Sequence, residues 1–392
     1  MNALVVTFDR LPLRMLGCYG NAWIATPHFD RLAAESVVFD ANFTDATTRT
    51  RPSVAWWTGR RRLQSSPVQA SESLDERPCG LGEYLREAGV RTTLLAEACG
   101  EESIPMPVDF DSAVGPVESF AELVAVAIQT LETCDDDQSS TLLWLKSQGV
   151  PADWISSGTR NEIGGEADSD SELTEMTALL QQVGEKGFAA ITPEERTLVR
   201  RAYGESVMSL DESLGRLLDA CHSHGLLDDC LLIVAAGRGD HLGEQADIGQ
   251  ASTQCLPSSL RGEIVQCPLF VRIPNADVGT RRRALVQSID LVPTICDWFG
   301  IPNHEFEGQS LLPVVRGETE AVRDHLLIAG DEATAIRTVD FQLNQEISDD
   351  SDAAAWLFVK PDDRWDVLDV ADQYPDVVAR LSKMLANRVI SD

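Results

Sequence analysis

The sequence predicts an α/β protein. Its core is a doubly wound, mostly parallel sheet with helices on both faces, and a small C-terminal α+β subdomain follows. Three observations predict this. Short unbroken apolar runs recur along the chain, the form taken by strands buried on both faces. They alternate with stretches whose apolar residues repeat at helical spacing, as parallel strands with crossover helices require. After about residue 317 the alternation stops, and short strand-like pieces precede a closing helix.

The elements follow in order. Residues 3–8, ALVVTF, make the first strand. Residues 27–35, PHFDRLAAE, open on proline and alternate as a helix. Residues 40–51 are polar and loop-like, and 52–58 form a short helix stopped by Gly59. Residues 63–77 read as a surface loop, 80–88 as a helix, and 90–96, VRTTLLA, as a strand. A helix over 120–133 precedes the strand TLLWL at 141–145. Residues 156–171, rich in Ser, Gly, Asp and Glu, predict a flexible insertion. A long amphipathic helix covers 193–221 with Thr192 as its cap. Strands at 231–235 and 268–273 follow, then a helix over 290–299 ended by Gly300 and Pro302. The pieces HLLIAG, TAIRTVD and AAWLFVK and a helix over 375–385 make the C-terminal part. The expected division is a core over 1–317 and a subdomain over 318–392.

Composition narrows the function. The 392 residues carry a formal net charge of −31. Nucleic-acid and anionic-membrane binding both need clustered Lys and Arg, so neither partner is expected. Nine cysteines occur without a C-x-x-C pair, which excludes the usual zinc and disulfide patterns. Cys230 and Cys296 lie in apolar runs and read as core residues. Neither a signal-peptide pattern nor a membrane-spanning run is seen, and a cytoplasmic location is the expectation.

Chemistry is expected where strands end. The run LLIVAAGRGDHLGE, from Leu231 to Glu244, delivers Gly237, Arg238, Gly239, Asp240 and His241 to such a position. Several segments, in this order, resemble the sulfatase family of the alkaline-phosphatase-like superfamily: LVVTFDRLPLRMLGCYGN, TPHFDRLAAESVVFDANF, TRPSVAWWTGR, SLDESLGRLLDACHSHGLLDDCLLIV, DHLGE, CPLFVRIP, SIDLVPTICDWFGIP and FEGQSLLPVVRGE. The resemblance implies a divalent cation, usually calcium, held by carboxylates plus an Asn or His. It also implies a Cys or Ser nucleophile converted to formylglycine (Thr or Ser in related branches), basic residues on the oxyanion, and a His that protonates the leaving group.

The chain departs from this pattern at nearly every chemical position. Of the two adjacent acids of the opening loop, Asp9 remains and Arg10 replaces the other, while Pro12 and Arg14 replace a downstream Arg and Asp. Gly237 and Arg238 occupy the second pair of ligand positions. Glycine offers no ligand, and arginine keeps its proton in a protein. At about 4 Å and an effective dielectric of about 20, a guanidinium repels a divalent ion by roughly 8 kcal/mol before screening. Thr50 stands at the nucleophile position in one alignment and Arg49 in another, and neither is a Cys or Ser. The motif's arginine is Val54. Glu97 replaces a lysine, Gln250 another, and Gln245 a histidine. Lys146 and Arg51 are basic groups of the same neighbourhood, and His241, close to the turn, reads as a surface residue while remaining a candidate for the ligand pocket.

The expectation is therefore a sulfatase-family protein that has lost metal-dependent ester hydrolysis. Its pocket would gather Arg10, Arg14, Arg49 or Arg51, Lys146 and Arg238 with Asp9, Glu97 and Asp240. These groups would pair internally or hold an anionic small molecule or sulfated sugar. No cofactor is expected, and a calcium ion only if the site is rearranged. Two alternatives stay open: a sulfate- or phosphate-ester hydrolase using Thr50, and a structural or interaction subunit, with oligomers open. Trp56 and Trp57 read as core rather than interface.

Overall fold

The computed structural model describes residues 2–47, 53–61, 80–98, 109–133, 139–150, 170–243, 260–302, 306–348 and 353–389. Its strands are β1 (Asn2–Arg10), β2 (Val37–Phe39), β3 (Asn42–Phe43), β4 (Arg91–Glu97), β5 (Ser112–Val117), β6 (Thr141–Gly149), β7 (Cys230–Arg238), β8 (Leu269–Arg272), β9 (Thr280–Arg282), β10 (Val286–Gln287), β11 (His325–Ala329), β12 (Ala333–Thr338), β13 (Phe341–Glu346) and β14 (Ala355–Val359). The helices are α1 (Pro27–Ala34), α2 (Ser53–Thr58), α3 (Leu81–Glu87), α4 (Phe120–Thr133), α5 (Asp170–Lys186), α6 (Pro193–Ser223), α7 (Gly262–Val265), α8 (Leu291–Trp298), α9 (Leu312–Val315) and α10 (Pro375–Val389).

An 8-stranded sheet in the order β5-β4-β6-β1-β7-β8-β2-β9 forms the centre. It is parallel except where β8 runs against β7 and β2. The unbroken apolar runs are explained by the two layers that cover it. Leu4, Val6 and Phe8 of β1 share one cluster with residues of α4 and α6. Ala3 and Val5 share another with Trp56, Trp57 and residues of α8. Successive residues of a strand point to opposite faces, so both sets must be apolar. Trp56 and Trp57 are buried, and Trp57 packs on Trp144 at 4.4 Å between centroids. Cys230 and Cys296 are buried core residues as well.

Helix α6 begins in a complete capping box. Thr192 Oγ1 accepts from the Glu195 amide at 3.2 Å, and Glu195 Oε2 accepts from the Thr192 amide at 2.7 Å. Thr192→Ala is expected to cost about 1 kcal/mol, measured as a shift in the urea midpoint at unchanged slope. Farther along α6, Asp211 accepts from the amides of His28 and Phe29 at 3.2 and 2.7 Å. A side chain of one helix thus satisfies the start of α1, whose preceding Thr26 makes no such bond.

Several elements depart from the sequence expectation. Strands β9, β10 and β13 do not appear in it, and two further differences have a readable cause. The predicted insertion over 156–171 lies outside the described residues as far as 169, but Asp170 and Ser171 open helix α5. Met176, Leu179, Leu180 and Val183 stand at helical spacing and pack on the core, a signal outweighed by the polar composition before it. Strand β5 was not expected, because Gly115 and Pro116 interrupt it. It is an edge strand, where proline is tolerated.

The C-terminal part is an antiparallel sheet, β11-β12-β13-β14. One face packs on α10, and the other meets Phe43, Leu260, Val265 and Leu285 of the core. Arg323, ahead of β11, forms a buried ion pair with Asp290 at the start of α8. Among the described residues, no helix is long and apolar enough to cross a membrane.

Candidate functional site

Strands β4, β6, β1 and β7 are neighbours, so their carboxyl ends bring Glu97, Lys146, Asp9, Arg10 and Arg238 to one edge of the sheet. The register pairs Thr7 with Lys146 and Arg10 with Arg238. Pleating then sorts the charges between the two faces. Asp9 follows Val5 and Lys146 follows Trp144, both toward the α2 and α8 layer. Lys146 Nζ donates to Asp9 Oδ2 at 2.8 Å, and Lys146 is almost fully buried.

Glu97 lies on the opposite face, which Leu95 shares. Its Oε2 accepts from Ser147 Oγ at 2.7 Å and from the Gln148 amide at 3.0 Å. Burial pushes its pKa up to about 7, against the pull of those two hydrogen bonds. The nearby Asp9 charge raises it further, and Lys146 opposes.

Arg10 and Arg238 follow Phe8 and Ala236 toward α6. There Asp240 is the hub. Tyr203 Oη donates to its Oδ2 at 2.6 Å, and Arg10 Nη1 to its Oδ1 at 3.4 Å. Arg14 Nη2 donates to its backbone carbonyl at 3.1 Å. Burial raises the pKa of Asp240, and Arg10 and the tyrosine hydroxyl pull against that rise. Burial, followed by the charge and hydrogen bond of Asp240, raises Tyr203 as well. Arg238 is lowered, first by burial and then by Arg10. Among the described residues its guanidinium makes no hydrogen bond or ion pair. The two carboxylates are thus taken by Lys146 and Arg10, not by Arg238.

The glycine after Arg238 has a steric cause. A Cβ on Gly239 would stand 2.0 Å from the Glu263 carbonyl, where the Gly239 amide bonds to Ile264 O at 2.8 Å. His241 is not the surface residue expected. It is half-buried, 3.4 Å from the Glu263 carboxylate and edge-on to Phe188, because α7 packs against the strand-end turn. Thr50, Arg49 and Arg51 lie outside the described residues, as do Gln245 and Gln250. Tyr203, Ser147 and Glu263 were not legible as site residues. Tyr203 occupies a core position of α6 in sequence, and only packing places its hydroxyl on Asp240.

The family model for sulfatases matches residues 1–301. The chain belongs to the sulfatase family. Among curated sulfatases it is similar to N-sulphoglucosamine sulphohydrolase of Homo sapiens, 26% identical over 333 residues, 77% of this chain and 63% of that protein. It also matches N-acetylglucosamine-6-O-sulfatase of Bacteroides thetaiotaomicron, 27% identical over 157 residues, 40% of this chain and 27% of that protein. The matches thus span less than two thirds of either relative. Among solved structures, BT4656 in complex with D-glucosamine-2-N,6-O-disulfate superposes with a TM-score of 0.75 at 18% identity, over 99% of this chain and 97% of that one. The phosphonate monoester hydrolase of Agrobacterium radiobacter gives 0.69 at 18% identity, over 98% and 95%. These likenesses are of fold.

A sulfatase implies a divalent cation, and the donor set can be tested against it. Hard cations need several oxygen ligands. Among the described residues, no group of three or more His, Cys, Asp or Glu side chains could hold a metal ion. Asp9 is bound to Lys146, and two guanidiniums stand at the neighbouring strand ends. The residues described here do not fit a divalent cation.

Proposed function

We propose that this sulfatase-family chain has lost metal-dependent sulfuric-ester hydrolysis and keeps the fold for binding an anionic ligand. One observation carries the reading. At the strand ends Lys146 holds Asp9 and Arg10 holds Asp240, so protein cations occupy the carboxylates that a metal would need. A protonated lysine or arginine stabilises buried carboxylates as a metal does, but supplies no activated nucleophile and no Lewis acid. The family's substrates motivate the ligand class: the complex of BT4656 holds a disulfated sugar. The described cysteines are free thiols, which supports a reducing, cytoplasmic setting.

Metal analysis of the purified chain tests the reading. The expected result is no stoichiometric calcium or other divalent ion, no change in Tm with chelator, and no turnover of aryl sulfates. Stoichiometric metal with turnover that Thr50→Ala abolishes would overturn it in favour of a rearranged hydrolase.

A further inference from the structure

Residues 44–47, which follow β3, form a strap that fastens the C-terminal sheet to the core. The Ala329 amide, at the end of β11, donates to Asp45 O at 2.9 Å, and the Thr47 amide donates to Ala329 O at 2.8 Å. On the core side the Thr44 amide donates to Val265 O at 2.8 Å. Gln287 Nε2 closes the seam by donating to Thr44 O at 3.3 Å and to Leu327 O at 2.7 Å. The bonds that hold the two sheets together here are thus few and depend on the strap lying flat.

Asp45 conflicts with that setting when it is charged. It is only 5% exposed, and its Oδ1 has no hydrogen-bond partner. Gln287 Oε1, in the same seam, is bare as well. A buried carboxylate oxygen without a donor is costly, whereas a neutral carboxyl costs less and has a proton to donate. The groups around Asp45 do not remove the conflict. Arg61, beyond α2, favours the charged form, but it is paired with Glu307 at 3.9 Å, and Glu307 opposes it. The Cys267 thiol, ahead of β8, is kept neutral by burial. Strand β11 brings apolar residues to the seam, Leu327 to Ala329, with His325 at its other end. The Asp290–Arg323 pair at the start of α8 is neutral as a pair. Burial raises the pKa of Asp45 from 3.8 to about 7, against the pull of its own amide, Arg61 and the Ala46 amide.

We propose that Asp45 is a pH-sensitive latch between the core and the C-terminal subdomain: the neutral carboxyl lets the strap close on β11, and loss of its proton above neutrality loosens the seam. The sign follows from linkage. The folded chain holds this proton more tightly than the unfolded chain, so the contribution is complete below pH 3.8 and is lost as pH rises through about 7. Opening a strap held by few bonds costs less than unfolding the domain, so the charge is relieved there first. The latch does not rest on the loss of hydrolysis proposed above, and either can fail without the other.

Hydrogen–deuterium exchange of the full chain at pH 6 and pH 8.5, corrected for intrinsic exchange rates, tests it. Peptides covering 44–47 and 325–329 are expected to lose at least tenfold in protection between the two pH values. Asp45→Asn, neutral at every pH, is expected to change less than twofold. Glu97→Gln removes the carboxyl at the strand ends that is also raised to about 7, and is expected to respond as the parent does. Unchanged protection in the parent, or an equal fall in Asp45→Asn, would overturn the latch. If Asp45→Asn does not fold, the carboxyl ¹³C shift of Asp45 in the parent decides. A midpoint that coincides with the loss of protection supports the latch, and one below about 5 overturns it.

Discussion

Replacing Asp240 by asparagine is expected to destabilise the protein by about 1–3 kcal/mol at pH 8. The carboxylate is ion-paired to Arg10 and acts on Arg238 only through its field, and Tyr203 donates to it from a fully buried ring. Asparagine retains the shape and one acceptor but removes the charge. The two guanidiniums, on paired positions of adjacent strands, then repel each other with the nearest carboxylate charge removed. The loss is expected to grow as pH falls. Burial raises the folded-state pKa of Asp240 above its usual 3.8, so the native carboxyl takes up a proton that the unfolded chain does not yet hold, and the parent gains stability that the non-titrating asparagine cannot. Urea unfolding at pH 8 and pH 5 measures both effects. Adding Arg238→Gln to Asp240→Asn should recover part of the loss, because it removes one of the repelling cations. Equal stability of Asp240→Asn and the parent at pH 8 would contradict the counter-charge role.

The second large effect runs in the opposite direction. Glu97→Gln is expected to stabilise the protein at alkaline pH, by on the order of 3 kcal/mol. Burial raises Glu97 from 4.5 to about 7 in the folded chain. The folded state therefore holds this proton more tightly than the unfolded state. The favourable contribution is complete below pH 4.5 and is lost as pH rises through 7. Glutamine is neutral throughout and keeps an acceptor for Ser147 and the Gln148 amide. The difference between the two proteins should be near zero at pH 4.5 and reach its maximum above pH 8. Asp45, also buried and raised to about 7, is common to both and cancels. Parallel curves of stability against pH for the two proteins would show that Glu97 titrates in the folded chain as it does in the unfolded one.

Both predictions concern residues whose identity, but not whose setting, could be read from the chain. The apolar runs at β1, β6 and β7 specify buried strands because both layers of the sheet need apolar side chains. The cap at Thr192 is read from the residue type ahead of the helix and is found in place, where Glu195 closes it into a capping box. Helix α5 was missed although its spacing is regular, since the polar run ahead of it dominated the reading.

The sequence by itself determined that this is a sulfatase-family chain with Arg10, Gly237 and Arg238 where ligands are expected. Those facts depend only on residue type and order. The tertiary structure decided which charge meets which. Sheet order sets Lys146 beside Asp9, pleating sends Arg10 and Arg238 to the face of Tyr203, and a turn held by α7 aims Asp240 at them. Asp240 and Arg10 are 230 positions apart, and no local pattern encodes such a contact. Ion pairing varies with distance and burial, both of which arise only when the strands are assembled.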